Sequence, residues 1–277
     1  MTNALRIGAV SYLNAKPLYY RLGLHAPDVQ LSLDYPSVLA DRLAEGDLDV
    51  ALIPSIEYLR GVDRGYEIIP GFAIAARGPV RSVKLFSRVP LSRIRRLALD
   101  EGSRTSQALC RVWLALEHGV KPALIETLPM GVPAEESTAD AVMLIGDRAM
   151  RDLSGSFVAT VDLSEAWHAM TGLPFVFALW VTRAGVELGD LPERLARSRS
   201  DGLSHVDELA DEHGPRLGLS HVACVDYLTR VLSYELGTPE IAGLRRFARE
   251  AAALGLAPRG AELVFHADRR LDLAQSR

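Results

Sequence analysis

Few cysteines, few aromatic residues and no long apolar run set the first limits on this 277-residue chain. Cys110 and Cys224 are its only cysteines, far apart and each inside an apolar helical pattern. That excludes a disulfide framework and predicts two buried thiols in a reducing compartment. No stretch is apolar for long enough to cross a bilayer, and "MTNALRIGAVSY" lacks the basic and apolar regions of a secretion signal. A cytoplasmic protein with no membrane partner is the expectation. Positive charge is scarce as well: 31 Lys and Arg against 35 Asp and Glu leave a formal charge of -4. The basic clusters at 93–96 and 245–249 are short and read as solvated helix faces, whereas a nucleic-acid surface gathers cations on one face. No nucleic-acid partner is expected. Catalytic signatures are missing too: there is no G-x-S-x-G elbow, no H-E-x-x-H, no P-loop and no Cys/His cluster at metal spacing.

What is present is globular composition, 48% hydrophobic and 24% charged, with Gly and Pro scattered as punctuation. The length suits two domains of ordinary size. Strand and helix signals alternate from the start. "RIGAVSYLNAKPL" gives a strand over Ile7 to Val10 and a helix over Ala15 to Leu22; a strand over Leu31 to Asp34 precedes a helix capped by Ser37 and stopped at Gly46. "DVALIPSIEYL" repeats the unit with Ser55 as cap. Extended runs follow near Ile68 to Ala76 and Ser82 to Ser87. A second alternating unit starts at Leu97 to Leu99, with a helix from about Ser106 to His118, a strand over Ala141 to Ile145 and a short helix after Asp147. Phe175 to Val181 reads as a buried strand, and Leu191 to Leu254 as helical, with a late strand near Leu263. Such alternation implies an α/β protein of two lobes around a cleft: residues 1–94 and 179–277 as a discontinuous first lobe, 95–178 as an inserted second.

Small ligands bind at strand carboxyl ends, and this chain places polar residues there: Ser11, Tyr12 and Asn14; Ser55; Ser103, Thr105 and Ser106; Gly146 and Asp147. Ser82 opens another strand that borders the same cleft. Several of these precede helices, whose free backbone N–H groups and partial positive charge suit a carboxylate. Asn14, Ser55, Ser106 and Asp147 are also good N-cap types, so each has an architectural reading beside the functional one. Arg77, Arg104 and Arg148 lie near the same motifs, with surface solvation as the plain alternative. The residues alone lead to a two-lobed binder of a small carboxylate, with enzyme and binding module both open.

The stretches "RIGAVSYLNAKPL", "DVALIPSIEYL", "GPVRSVKLFSRVPL", "LALDEGSRTSQALCRVWL", "ADAVMLIGDRAM" and "DLSEAWHAMTGLPFVFALWV" together resemble the chorismate dehydratase family of the futalosine route to menaquinone. The related 1,4-dihydroxy-6-naphthoate synthases have a Cys-Pro-Asn-Asp type turn where this chain has "SYLNAKP". The resemblance implies a periplasmic-binding-protein-like (type II) fold closing on chorismate, loss of water to give 3-[(1-carboxyvinyl)oxy]benzoate, and no metal or organic cofactor. It implies Asn14 and Ser82 as the residues orienting the reacting groups. Ser11, Tyr12, Ser55, Ser103, Thr105, Ser106, Gly146 and Asp147 are then substrate-binding positions, and Asp147 is a second candidate proton carrier. A non-catalytic carboxylate-binding protein is the rival from another class, and the oligomeric state stays open.

Overall fold

The computed structural model describes residues 4–150, 153 and 155–266, apart from the side chain of Asp147. Among these, the strands in chain order are β1 (Arg6–Val10), β2 (Gln30–Asp34), β3 (Val50–Pro54), β4 (Glu67–Ala76), β5 (Val83–Ser87), β6 (Arg96–Asp100), β7 (Leu124–Leu128), β8 (Ala141–Ile145), β9 (Ala159–Asp162), β10 (Phe175–Thr182) and β11 (Leu232–Ser233). They form a six-stranded sheet in the order β11-β4-β10-β3-β1-β2 and a five-stranded sheet in the order β7-β6-β8-β5-β9.

The first sheet is built on β3, whose five residues are all buried. An uninterrupted Val-Ala-Leu-Ile run is what a strand covered on both faces requires. β1 runs parallel to both β2 and β3, while β10 lies antiparallel between β3 and β4. In the second sheet β6 is parallel to β7 and β8, and β5 is antiparallel to β8 and β9. The carboxyl ends of β1, β6 and β8 therefore carry Ser11, the 101–103 turn and Gly146, the positions that the alternating pattern singled out.

Sheet membership draws the lobe boundaries differently from 94/95 and 178/179. The chain leaves the first sheet between β4 and β5 and returns to it between β9 and β10. β5 belongs with the second sheet because its partners, β8 and β9, lie far along the chain, and β10 belongs whole to the first. The return is packed by aromatic rings. Trp167 meets Phe175 edge-on at 5.5 Å and Phe247 at 6.2 Å, and its indole N–H donates to the Pro174 carbonyl at 3.2 Å.

Local signals held for most elements and shifted at three starts. The segment after β1 is a 3-10 helix, Leu13–Tyr19, with Tyr12 at the N-cap position and no side-chain cap. Asn14 thus sits inside the first turn. The helix Ser55–Arg60 begins at Ser55 itself, and the helix Arg104–His118 is capped by Ser103, whose Oγ accepts from the Ser106 N–H at 3.2 Å. Cys110 and Cys224 are both free and buried.

One ionic cluster pins the first sheet. Asp49, just before β3, accepts from the Arg6 guanidinium and main-chain N–H at 2.7 and 2.9 Å, and from Arg183 beyond β10 at 2.7 Å. Burial by itself would raise the Asp49 pKa, but the Arg6 and Arg183 hydrogen bonds overcome it and bring the group down to about 2. A carboxyl depressed on folding contributes stability above its unfolded pKa of roughly 3.9, and that contribution is lost as pH falls towards 2. Asp49→Asn is expected to lower unfolding free energy by about 1–2 kcal/mol at pH 7, a discounted value for hydrogen bonds to a partly exposed charge. The gap between parent and variant should narrow steadily in denaturant titrations from pH 5 to pH 3; a gap that stays constant would assign the loss to packing.

Candidate active site

Between the two sheets lies a cleft of about 490 Å³. Its first-lobe wall carries Ser11, Tyr12, Asn14 and Lys16 from the β1 turn and the 3-10 helix. Its second-lobe wall carries Asp100, Gly102, Ser103 and Ser106 from the β6 turn, with Gly146 and Arg148 beyond β8. Ser82 enters from the crossover into β5, and Tyr227 from the C-terminal helices. The remaining surface is largely apolar, with Val10, Ile74, Met130, Ile145 and Phe177 among its members.

Asn14 is the least satisfied group in this wall. Its Oδ1 is buried and has no hydrogen-bond partner. Buried side-chain oxygens are nearly always paired in folded proteins, so an architectural amide here would be expected to find a donor. Capping, the plain alternative for Asn14, is also absent.

Opposite it, the N-terminus of the helix Arg104–His118 faces the cleft through two coupled hydroxyls: Ser103 Oγ donates to Ser106 Oγ at 2.8 Å while accepting from the Ser106 N–H. The Ser82 and Tyr227 hydroxyls lie 3.0 Å apart, and the Ser82 carbonyl accepts from the Gly146 N–H at 2.8 Å. The lobes touch where the Tyr12 hydroxyl points to Met130 Sδ at 3.7 Å.

Asp100 ends β6 and is wholly buried. Burial raises its pKa; hydrogen bonds from the Gly102 and Ile145 N–H groups and the charge of Arg148 oppose that rise. Arg148 is spent on this carboxylate at 3.2 Å and on the Pro129 and Val132 carbonyls.

Of the residues expected at the site, Ser11, Tyr12, Asn14, Ser82, Ser103, Ser106 and Gly146 line the cleft. Ser55 and Thr105 do not. Ser55 Oγ donates to the Val176 carbonyl at 2.7 Å, and Thr105 Oγ1 accepts from the Ile56 N–H at 3.3 Å. Both hydroxyls are consumed in a buried seam joining the starts of two helices to β10, which takes them off the cleft wall. The Asp147 side chain lies outside the described residues. Arg104 pairs with Asp41 at 2.9 Å and Glu57 at 3.3 Å, and Arg77 is not part of the cleft lining. Sequence reasoning missed Asp100, Lys16, His213, Arg216 and Tyr227. The last three come from the helical C-terminal part, where nothing in the local pattern separates a cleft-facing side chain from a solvated one. Among the described residues no group of three His, Cys, Asp or Glu is placed to hold a metal ion, and no helix is long and apolar enough to cross a membrane.

A family model described as menaquinone biosynthesis matches residues 5–253. The chain belongs to that family. Two relatives are similar to it along almost their whole length. The chorismate dehydratase of Thermus thermophilus is 33% identical over 269 residues, covering 91% of this chain and 96% of the relative. That of Campylobacter jejuni is 24% identical over 257 residues, covering 90% and 99%. Solved structures share the fold at low identity. Protein AF1704 from Archaeoglobus fulgidus superposes with a TM-score of 0.68 at 17% identity, over 92% of this chain and 99% of its own. The periplasmic aliphatic sulphonate binding protein SsuA from Escherichia coli gives 0.63 at 14% identity, over 97% and 95%. This menaquinone-family chain therefore has the periplasmic-binding-protein-like fold that the family resemblance implied.

Proposed function

We propose that this protein is a chorismate dehydratase, a carbon-oxygen lyase that removes water from chorismate to give 3-[(1-carboxyvinyl)oxy]benzoate. The C–H bond breaks at the ring carbon bearing the enolpyruvyl ether, its electron pair forms a ring double bond, and the neighbouring C–O bond breaks. The acceptor that takes the ring proton passes it to the departing hydroxyl, which leaves as water. Aromatisation of the ring drives the step.

The observation that carries this reading is the unpaired Asn14 Oδ1 in the wall of an interlobe cleft, in a chain whose similarity to chorismate dehydratases spans both lobes. The described cleft wall carries one carboxylate, Asp100, which is held by Arg148, and one imidazole, His213, which is given to anion binding; the proton acceptor is assigned to the substrate's own enolpyruvyl carboxylate. The protein's contribution is orientation: Asn14 and Ser82 hold the side chain and the departing hydroxyl in a reactive arrangement, and the helix start at Ser103 and Ser106 receives the ring carboxylate. Holding reacting groups in line can supply about 7 kcal/mol or more of the barrier. The apolar remainder of the cleft excludes water, which strengthens each of these contacts.

The test is direct. Purified protein incubated with chorismate, with no metal or organic cofactor added, should convert it to an aromatic enol ether with release of one water, followed by mass spectrometry and ultraviolet absorbance. Tight binding of chorismate without turnover would leave a binding protein instead.

A further inference from the structure

The charge on the cleft wall is unevenly placed. Among the described residues that line it, the side chains with full charges are Lys16, Asp100, Arg148 and Arg216, with His213 as the titratable neighbour. Asp100 and Arg148 neutralise each other at 3.2 Å on the second-lobe side. What remains is cationic and lies on the first-lobe side, where three separate elements meet: Lys16 on the 3-10 helix Leu13–Tyr19, His213 at the end of the helix Val206–His213, and Arg216 in the turn Pro215–Leu217.

No described carboxylate lies within salt-bridge reach of Lys16 or Arg216. Lys16 instead holds its ammonium 5.6 Å above the Tyr19 ring. The acid beside the cluster is Glu212, 3.6 Å from His213 Nε2, and it does not line the cleft. Burial, and after it the charge of Lys16, lowers the His213 pKa, with Glu212 opposing and Arg216 adding to the fall. The imidazole is therefore mainly neutral near pH 7, a hydrogen-bonding member of a cluster whose charge comes from Lys16 and Arg216. The charge of Glu212 favours a charged Lys16 and that of Arg216 opposes it; Glu212 lies off the cleft wall, so on the wall itself the two positive charges meet no carboxylate, which a partly apolar surface makes costly in the free protein.

We infer that Lys16, His213 and Arg216 form a carboxylate subsite, opposite the Ser103–Ser106 helix start, that receives the second carboxylate of a dianionic ligand. The inference rests on the proposed reading for the identity of the ligand, and on the cleft alone for its charge. The two poles divide the work. The helix start neutralises a carboxylate with dipoles and hydroxyls, whereas the cluster does so with whole charges, so dianions are selected over monoanions of the same shape.

The test uses two probes and four variants of the whole chain. Isophthalate, a rigid aromatic dicarboxylate, and benzoate are titrated calorimetrically, and chorismate turnover is followed in parallel. Lys16→Gln and Arg216→Gln should each weaken isophthalate binding by about tenfold at low salt, with benzoate affected about threefold or less, and the loss for isophthalate should shrink as salt rises. For chorismate the same loss should appear as a raised KM. Lys16→Arg should retain most of the affinity. Arg249→Gln, remote from the cleft, should leave both probes unchanged.

Equal weakening of the two probes, or an equal effect from Arg249→Gln, would overturn the subsite in favour of a general field. Unchanged isophthalate affinity in folded variants, judged by a parental melting temperature, would overturn it outright. Should the parent bind isophthalate but fail to turn chorismate over, the enzymatic reading falls and the charge subsite is still decided by the probes.

Discussion

Asn14→Asp should fold with a melting temperature close to the parent's and lose about 100-fold or more in chorismate turnover. The magnitude is that of removing one preorganised donor from a site where charge moves during the reaction. Asp is nearly the same size, but it exchanges the amide N–H donors for a second acceptor and adds a negative charge facing a dianionic substrate. The structure sharpens the contrast with an architectural role, because Asn14 caps nothing and its Oδ1 has no partner. Asn14→Ala should for the same reason be at least as stable as the parent, since it deletes a buried acceptor that no donor serves. Stability that holds or rises while turnover collapses is the signature of a residue kept for function. Near-parental turnover in either folded variant would remove Asn14, and with it the β1 turn, from the mechanism.

The second large effect is expected from a glycine outside the cleft. Gly202 lies in the helix Leu191–Ser204 with its Cα against the back of the segment that carries Asn14 and Lys16; a Cβ built there would stand 2.5 Å from the Pro17 carbonyl oxygen and 2.6 Å from Pro17 Cα. Those are backbone atoms and cannot rotate away, so Gly202→Ala must push the 3-10 helix and the long helix apart. Overpacking of this kind costs about 1–3 kcal/mol, or a fall in melting temperature of roughly 3–10 °C for a chain of this size. Turnover should fall further than stability does, because a displacement near 1 Å in a positioning segment can cost about 100-fold in rate. Gly23→Ala provides the control: nothing lies within 4 Å of its added Cβ, and both melting temperature and turnover should stay parental. A Gly202→Ala protein that melts early yet turns over at the parental rate at 25 °C would show that the segment's position is not what limits the reaction.

Both variants bear on which parts of this protein can be read from the chain. Strands β1, β3, β8 and β10 are legible because each is a short apolar run bounded by turn residues, and their burial on both faces leaves little polar pattern to confuse. The cleft wall at Ser11, Tyr12, Asn14, Ser103, Ser106 and Gly146 is legible for a related reason. In a sheet of parallel strands the residue after a strand's carboxyl end has its position set by the strand, a few residues away, so local order fixes where it points.

Tertiary structure decided what depends on distant partners. β7 and β9 carry no strong pattern of their own, and they exist as strands because β6 and β5 offer them edges. β5 joins the second sheet through β8 and β9, which no signal near residues 83–87 announces. Ser55 and Thr105 look like their cleft-lining neighbours in sequence, yet the Val176 carbonyl and the Ile56 N–H, brought in by other elements, take their hydroxyls. The Lys16, His213 and Arg216 cluster assembles from segments nearly two hundred residues apart. A helix shows its apolar face in its own periodicity, but which polar side chains along its edge meet a cleft is set by how it packs against the rest, and that information lies in the fold.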